Sequence, residues 1–210
     1  MRKESFMNQG TNLIKVWIEE NIFGNYANNF EPVIRTEQEL RETAFHEAGH
    51  FIVNRALHMD YMPIIVITIV PTKEHFGVNY SDYIEKSVNK DEKYYIERIA
   101  YAIAGKIASG QMGFEPVFWK GDFLKAIDIA EEYIEKYCPD INNKEEKEEK
   151  IIELFCKAGE KTKRAISDNK EKLEIIAEAL LFRKILLGEE AQALYDGTLT
   201  LEELEPLELD

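Results

Sequence analysis

The stretch Thr43-Ala44-Phe45-His46-Glu47-Ala48-Gly49-His50-Phe51-Ile52-Val53 decides how the rest of the chain is read. Seven positions upstream, Thr36 followed by Glu39 makes a capping box, so a helix is expected from there to about Leu57. Leu40, Ala44, Ala48, Ile52 and Ala56 recur every fourth residue and predict one stripe facing a core. On such a helix His46 and His50 project from adjacent turns of one face and can converge on a single metal ion. Glu47 stands beside them, a carboxylate placed to move a proton without being a ligand. With four histidines in the chain, this His-Glu-x-x-His spacing is expected by chance only on the order of 0.01 times. Gly49 weakens a helix by roughly 1 kcal/mol relative to Ala, which favours a close approach there over plain structural use.

Working outward, Met62 to Val70 is β-branched and apolar but short, hence a strand ended by Pro71; its residues 64–70 either present an edge to an extended peptide or, with about equal weight, simply pack against the motif helix. His75 to Tyr80 is read as a second strand. Asn89 with Glu92 predicts a cap and one helix through Ser109. Residues 110–120 read as a loop, and Gly121-Asp122 opens a helix to about Tyr137, broken by Pro139. A helix is expected over 144–165, and Asp168 with Glu171 caps the next. A short helix follows Gly188, within an acidic end from Ile185 expected to be solvated and frayed. Before the motif, residues 11–24 predict a short amphipathic helix and 25–35 a loop. The fold class is mainly α-helical (α+β), with a small sheet after the motif helix.

Composition narrows the function. The 210 residues carry a formal charge of −14, which disfavours nucleic-acid phosphates and anionic membrane surfaces. No run approaches the roughly 20 apolar residues of a spanning helix, so no membrane segment is expected and the chain reads as soluble and cytoplasmic. Cys138 and Cys156 show no metal-knuckle spacing and read as free thiols. No G-x-x-x-x-G-K-[ST] loop occurs.

Two histidines do not complete a catalytic zinc site, which takes three protein ligands and an open position. His75, Glu97, Asp122, Asp128, Glu131 and Glu132 are the candidates for the third. Asp122 is favoured modestly, because it opens a helix after a glycine; an ordinary first-turn acid is the competing reading. Phe76, Phe114, Phe118 and Trp119 are candidates for lining side-chain pockets.

The motif helix resembles the zinc-binding helix of FtsH-type metalloproteases, the M41 peptidase family. Ile65 to Pro71 and Gly77-Val78-Asn79-Tyr80 look like that family's strand and its continuation. Ala104-Gly105-Lys106-Ile107-Ala108 is similar to its Gly-Gly-Arg-Ala-Ala helix, and Gly121-Asp122-Phe123-Leu124 falls where it has Asn-Asp-Leu. Ile175 to Leu181 and Gly188-Glu189-Glu190 resemble its closing helices. The resemblance covers roughly residues 38–195. It implies an FtsH-type peptidase fold, with His46, His50 and Asp122 as zinc ligands and Glu47 as the catalytic base. It also implies a zinc-dependent metalloendopeptidase acting on unfolded or flexible polypeptides. The alternative is a catalytically inactive zinc protein of the same shape that binds peptides or partner subunits. Ser109 departs from the family's glutamate, and Phe114 to Lys120 from its Thr/Gly-rich loop. About 40 residues precede the motif helix, so the chain is expected to act without ATP on its own, with a separate ATPase or self-assembly as candidate partners. The expected division is an N-terminal extension over 1–35, a zinc peptidase domain over 36–198 and an acidic tail over 199–210.

Overall fold

A computed structural model describes residues 35–71, 76–84, 88–114 and 120–205. The helix expected over 11–24 and nearly all of the loop after it lie outside the described residues, as do His75, Phe118 and Trp119. The described chain runs α1 (Glu37–Ala56), β1 (Ile64–Thr68), β2 (Val78–Ser81), α2 (Glu92–Ala102), α3 (Ala104–Gln111) and α4 (Lys120–Tyr137). It continues through α5 (Lys144–Asp168), α6 (Lys170–Arg183), β3 (Ile185–Leu187) and α7 (Gly188–Asp196). The fold is mainly helical with one small antiparallel sheet. No described helix is long and apolar enough to cross a membrane.

The Thr36 capping box forms as the sequence predicts. The Thr36 hydroxyl accepts from the Glu39 N–H at 3.2 Å, and Glu39 Oε2 accepts from the Thr36 N–H at 2.7 Å. The helix it starts is not a one-stripe element. Nearly every side chain from Glu42 to Asn54 is buried, because α3, α5 and α6 pack around it. A helix covered on several sides carries polar groups inward, and each needs a partner. Asn54 is fully buried and donates to the Met62 carbonyl at 2.8 Å, while its own oxygen accepts from Arg55.

The sheet order is β2-β1-β3, with both pairings antiparallel. β1 is therefore central, and both its edges are filled. The expectation that this strand offers an edge to a peptide is corrected: the third strand arrives from residues 185–187, which the sequence placed in a frayed acidic end. Ile185 and Leu186 are buried, and α7 packs on the sheet through Ala191 and Leu194. Lys184, in the left-handed region at φ 66°, ends α6 and turns the chain into β3. Its carbonyl accepts from the Ile69 N–H at 2.9 Å. A Cβ on Gly188 would collide with the Ile64 carbonyl, so only glycine lets α7 start beside β1.

Three helix boundaries also differ from expectation. The cap before α2 is Asp91, which accepts from the Tyr94 N–H at 3.0 Å, rather than Asn89. The single helix expected through Ser109 breaks at Ile103, so α2 and α3 are separate elements. α5 extends to Asp168, leaving that residue inside a helix; Asn169 precedes α6 without a side-chain cap bond.

Candidate metal centre

α1 supplies the centre of the site, and α3 meets it at unusually short range. A Cβ on Gly49 would lie 2.5 Å from the Ala108 Cβ and 3.0 Å from the Ala104 carbonyl oxygen. One turn away, a Cβ on Gly105 would fall inside the His46 imidazole. The Ile103 break and this pair of glycines let the α3 backbone lie flat against the ring. Ser109, fully buried, donates to the Glu42 carbonyl at 3.4 Å and closes the contact.

Asp122 enters from the first turn of α4. Its Oδ2 stands 2.9 Å from His46 Nε2 and 3.4 Å from His50 Nε2, and the two Nε2 atoms are 3.1 Å apart. Around a tetrahedral zinc with ligands at about 2.0–2.2 Å, neighbouring donors stand roughly 3.3–3.6 Å apart. The trio is thus within a few tenths of an ångström of that size. Its two imidazoles and one carboxylate form a donor set that suits zinc. The tautomer of His50 follows from its other nitrogen. Nδ1 lies 2.8 Å from the Tyr101 carbonyl oxygen, which can only accept, so Nδ1 carries the proton and the Nε2 lone pair faces the trio. That carbonyl belongs to the last turn of α2, where a helix leaves its acceptors free. Burial alone would raise the Asp122 pKa, but the neighbouring His50 and His46 hold it well below the usual range. The residues present therefore fit a zinc ion.

Glu47 is buried beside the trio. Asn79 of β2 donates to Glu47 Oε2 at 2.7 Å and, with the same amide, to the Glu47 backbone carbonyl at 3.0 Å. Oε1 accepts no hydrogen bond from a described residue. It lies where a Cβ on Gly77 would approach to 2.8 Å, so glycine at 77 keeps that side of the carboxylate clear. Burial pushes the Glu47 carboxyl up to about 7, partly countered by His46 and by the Asn79 hydrogen bond. The Gly77 turn is pinned by Arg35. Its guanidinium donates to Thr43 Oγ1 at 2.6 Å and to the Phe76 carbonyl at 3.3 Å, and lies 4.8 Å from the Phe76 ring centroid.

The trio and Glu47 open into a cleft of about 680 Å³ walled by α1, β2, α2 and α4. Phe76 lines it, whereas Phe114 packs against Phe45 with centroids 5.7 Å apart. The other acids weighed as third ligand do not join the trio. Glu97 is buried in α2 with Lys93 at 3.7 Å, and Glu131 pairs with Lys147 at 3.0 Å. Glu132 accepts from the Tyr95 hydroxyl at 2.9 Å, and Asp128 is exposed on the cleft wall. Asn79, Tyr101 and Gly105 were missed as functional residues. A glycine inside a helical run, as at 105, was the one local signal of a close approach.

A model of peptidase family M41 matches residues 33–142, just over half of the chain. The ATP-dependent zinc metalloprotease FtsH of Myxococcus xanthus is 36% identical over 80 residues, covering 38% of this chain and 12% of that protein. The protein of the same name from Mycoplasma mobile is 26% identical over 187 residues, covering 75% of this chain and 26% of its own length. FtsH 3 of Petrotoga mobilis is 26% identical over 197 residues, covering 77% and 30%. The chain thus spans less than a third of each of these relatives.

Proposed function

The chain belongs to peptidase family M41, and from that premise we propose that it is a zinc-dependent metalloendopeptidase cleaving unfolded or flexible polypeptides. The observation that carries the reading is the meeting of His46, His50 and Asp122, from helices 76 positions apart in sequence, beside a buried carboxylate with one free oxygen. His46, His50 and Asp122 would hold the metal. When bound, zinc lowers the pKa of water and polarises a carbonyl as a Lewis acid.

Glu47 is the base. Asn79 holds Oε2, which leaves Oε1 to take a proton from the attacking water. The water oxygen bonds to the scissile carbonyl carbon as the carbonyl π pair moves onto its oxygen. The C–N bond then breaks, the C=O bond re-forms, and Glu47 passes the proton to the leaving nitrogen. The products are an amine and a carboxylic acid, and Glu47 returns to its starting state. An extended substrate segment would lie along the outer side of β2, whose only strand partner among the described residues is β1. Placing the peptide there brings a scissile bond past Asn79 and Glu47. An ATPase, joined to this chain or separate, would deliver folded substrates, in keeping with the word ATP-dependent in the relatives' names.

The test is cleavage of an unfolded polypeptide by the purified chain before and after zinc removal by a chelator. Activity should vanish with the metal and return on adding zinc. Undiminished activity in zinc-free protein would sink the mechanism. A zinc-loaded protein that binds peptides without cutting them would favour the non-catalytic module instead.

A further inference from the structure

Tyr101 is a cleft residue that this scheme leaves unused. Its backbone carbonyl fixes His50, and its ring lies against the His50 imidazole with centroids 5.1 Å apart and planes at 51°. The side chain is half-buried and lines the cleft together with His46, Glu47 and Asp122. Its hydroxyl makes no hydrogen bond to any described residue. Neither is it sealed in the interior, in contrast to the Tyr61 hydroxyl, which is buried without a partner. Five other tyrosines have their hydroxyls engaged: Tyr94 and Tyr83 with each other, Tyr95 with Glu132, Tyr195 with Asn169 and Tyr137 with the Lys90 carbonyl. A hydroxyl with no partner among the described residues, on a side chain that lines the cleft beside two carboxylates, is a donor available to an acceptor.

Amide hydrolysis places negative charge on the former carbonyl oxygen, and a preorganised donor aimed at that oxygen lowers the barrier. Three other donors on the cleft are already engaged. The Asn79 amide is engaged twice by Glu47, and Lys125 sits 3.7 Å from Asp122. Arg98, one turn before Tyr101 on α2, lies over the rings of Tyr83 and Tyr94. We propose that the Tyr101 hydroxyl donates a hydrogen bond to the scissile carbonyl oxygen as water adds to the carbon, which makes Tyr101 a catalytic residue beside Glu47. The bond is non-covalent: the hydroxyl keeps its proton while the carbonyl π pair moves to oxygen, and it releases that oxygen when C=O re-forms. An ordinary phenol, with a pKa of about 10, remains a donor across the working range. This inference rests on the metallopeptidase reading.

Tyr101→Phe keeps the ring against His50 and the backbone carbonyl that orients it, and removes only the hydroxyl. In the zinc-loaded full chain, kcat should fall roughly 10²–10³-fold with KM changed only a few-fold. Zinc stoichiometry and thermal midpoint should stay at wild-type values. The affinity for a phosphinic peptide, whose tetrahedral phosphinate replaces the scissile amide, should fall in parallel when measured by calorimetry. The affinity for the matched amide peptide, measured in a Glu47→Gln background, should not. Wild-type kcat or undiminished phosphinic affinity would overturn the assignment. So would a loss of activity that tracks loss of zinc, since the tyrosine would then act only as a wall for His50. A wild-type protein that neither cleaves nor binds the phosphinic peptide removes the peptidase reading itself, a result distinct from failure of the Tyr101 arm alone.

Discussion

Two sides of α1 are packed by opposite means. Toward α6 and α7 the contact is made by side chains: Arg41 pairs with Glu178 at 2.9 Å, and Phe51 meets Tyr195 edge-on with centroids 6.1 Å apart. The facing helix contributes Leu173, Ile176, Ala177 and Leu180, all fully buried. Toward α3 the contact is made by the absence of side chains, with Gly49 against Ala104 and Ala108, and Gly105 against the His46 ring. The first side removes apolar area from water and holds the helix in place. The second gives up that area to set an imidazole at a fixed distance from a carboxylate. The difference teaches that stability and chemistry here are assigned to different faces of one helix, and should be separable by substitution.

The sharpest break comes at Glu47. Glu47→Gln should lower kcat on the order of 10²–10⁴-fold while zinc content and thermal midpoint hold, since an amide oxygen can still accept from Asn79. Wild-type turnover in that variant would remove Glu47 as the base. Ile176→Ala on the other side should do the reverse. It costs about 2–5 kcal/mol in denaturant unfolding, with zinc bound per folded molecule unchanged. A variant that unfolds no more readily but loses zinc would show that the two faces are not separable.

Gly105→Ala sharpens the contrast further. Its methyl would enter the His46 ring, so zinc affinity should fall roughly 10–100-fold, as for other groups that orient a ligand. Unchanged affinity in a competition titration would show that α3 yields and does not set the distance.

The smallest effect concerns a buried carboxylate away from the centre. Glu97 is as buried as Glu47 and has the exposed Lys93 at 3.7 Å as its ion partner, and burial raises its pKa. A carboxyl raised in the folded state contributes stability below its unfolded pKa and loses it as pH climbs through the folded value. Glu97→Gln cannot lose that contribution. The variant's thermal midpoint relative to wild type should therefore be more favourable at pH 7 than at pH 4. An equal difference at both pH values would contradict the assigned burial cost.

What the sequence disclosed follows the range of each interaction. The capping box of Thr36 and Glu39 and the four-residue spacing of His46 and His50 are local, and the helix forms around them as expected. Asp122 is 76 residues from His46; its residue pattern alone favoured it only modestly over other acids, and family resemblance singled it out. Three apolar residues at the start of the acidic end carried no strand signal, because β3 exists only through its pairing with β1. The break at Ile103 lacks Gly or Pro at its own position, and just past it α3 comes up against His46. Asn79 and Tyr101 act through contacts with α1, so neither announces itself by spacing.

The most direct test is anomalous diffraction at the zinc edge from crystals of the zinc-loaded chain. One strong peak is expected about 2.0–2.2 Å from His46 Nε2, His50 Nε2 and a carboxylate oxygen of Asp122. No peak among these three side chains, or a peak held by His46 and His50 with a different third residue, would contradict it.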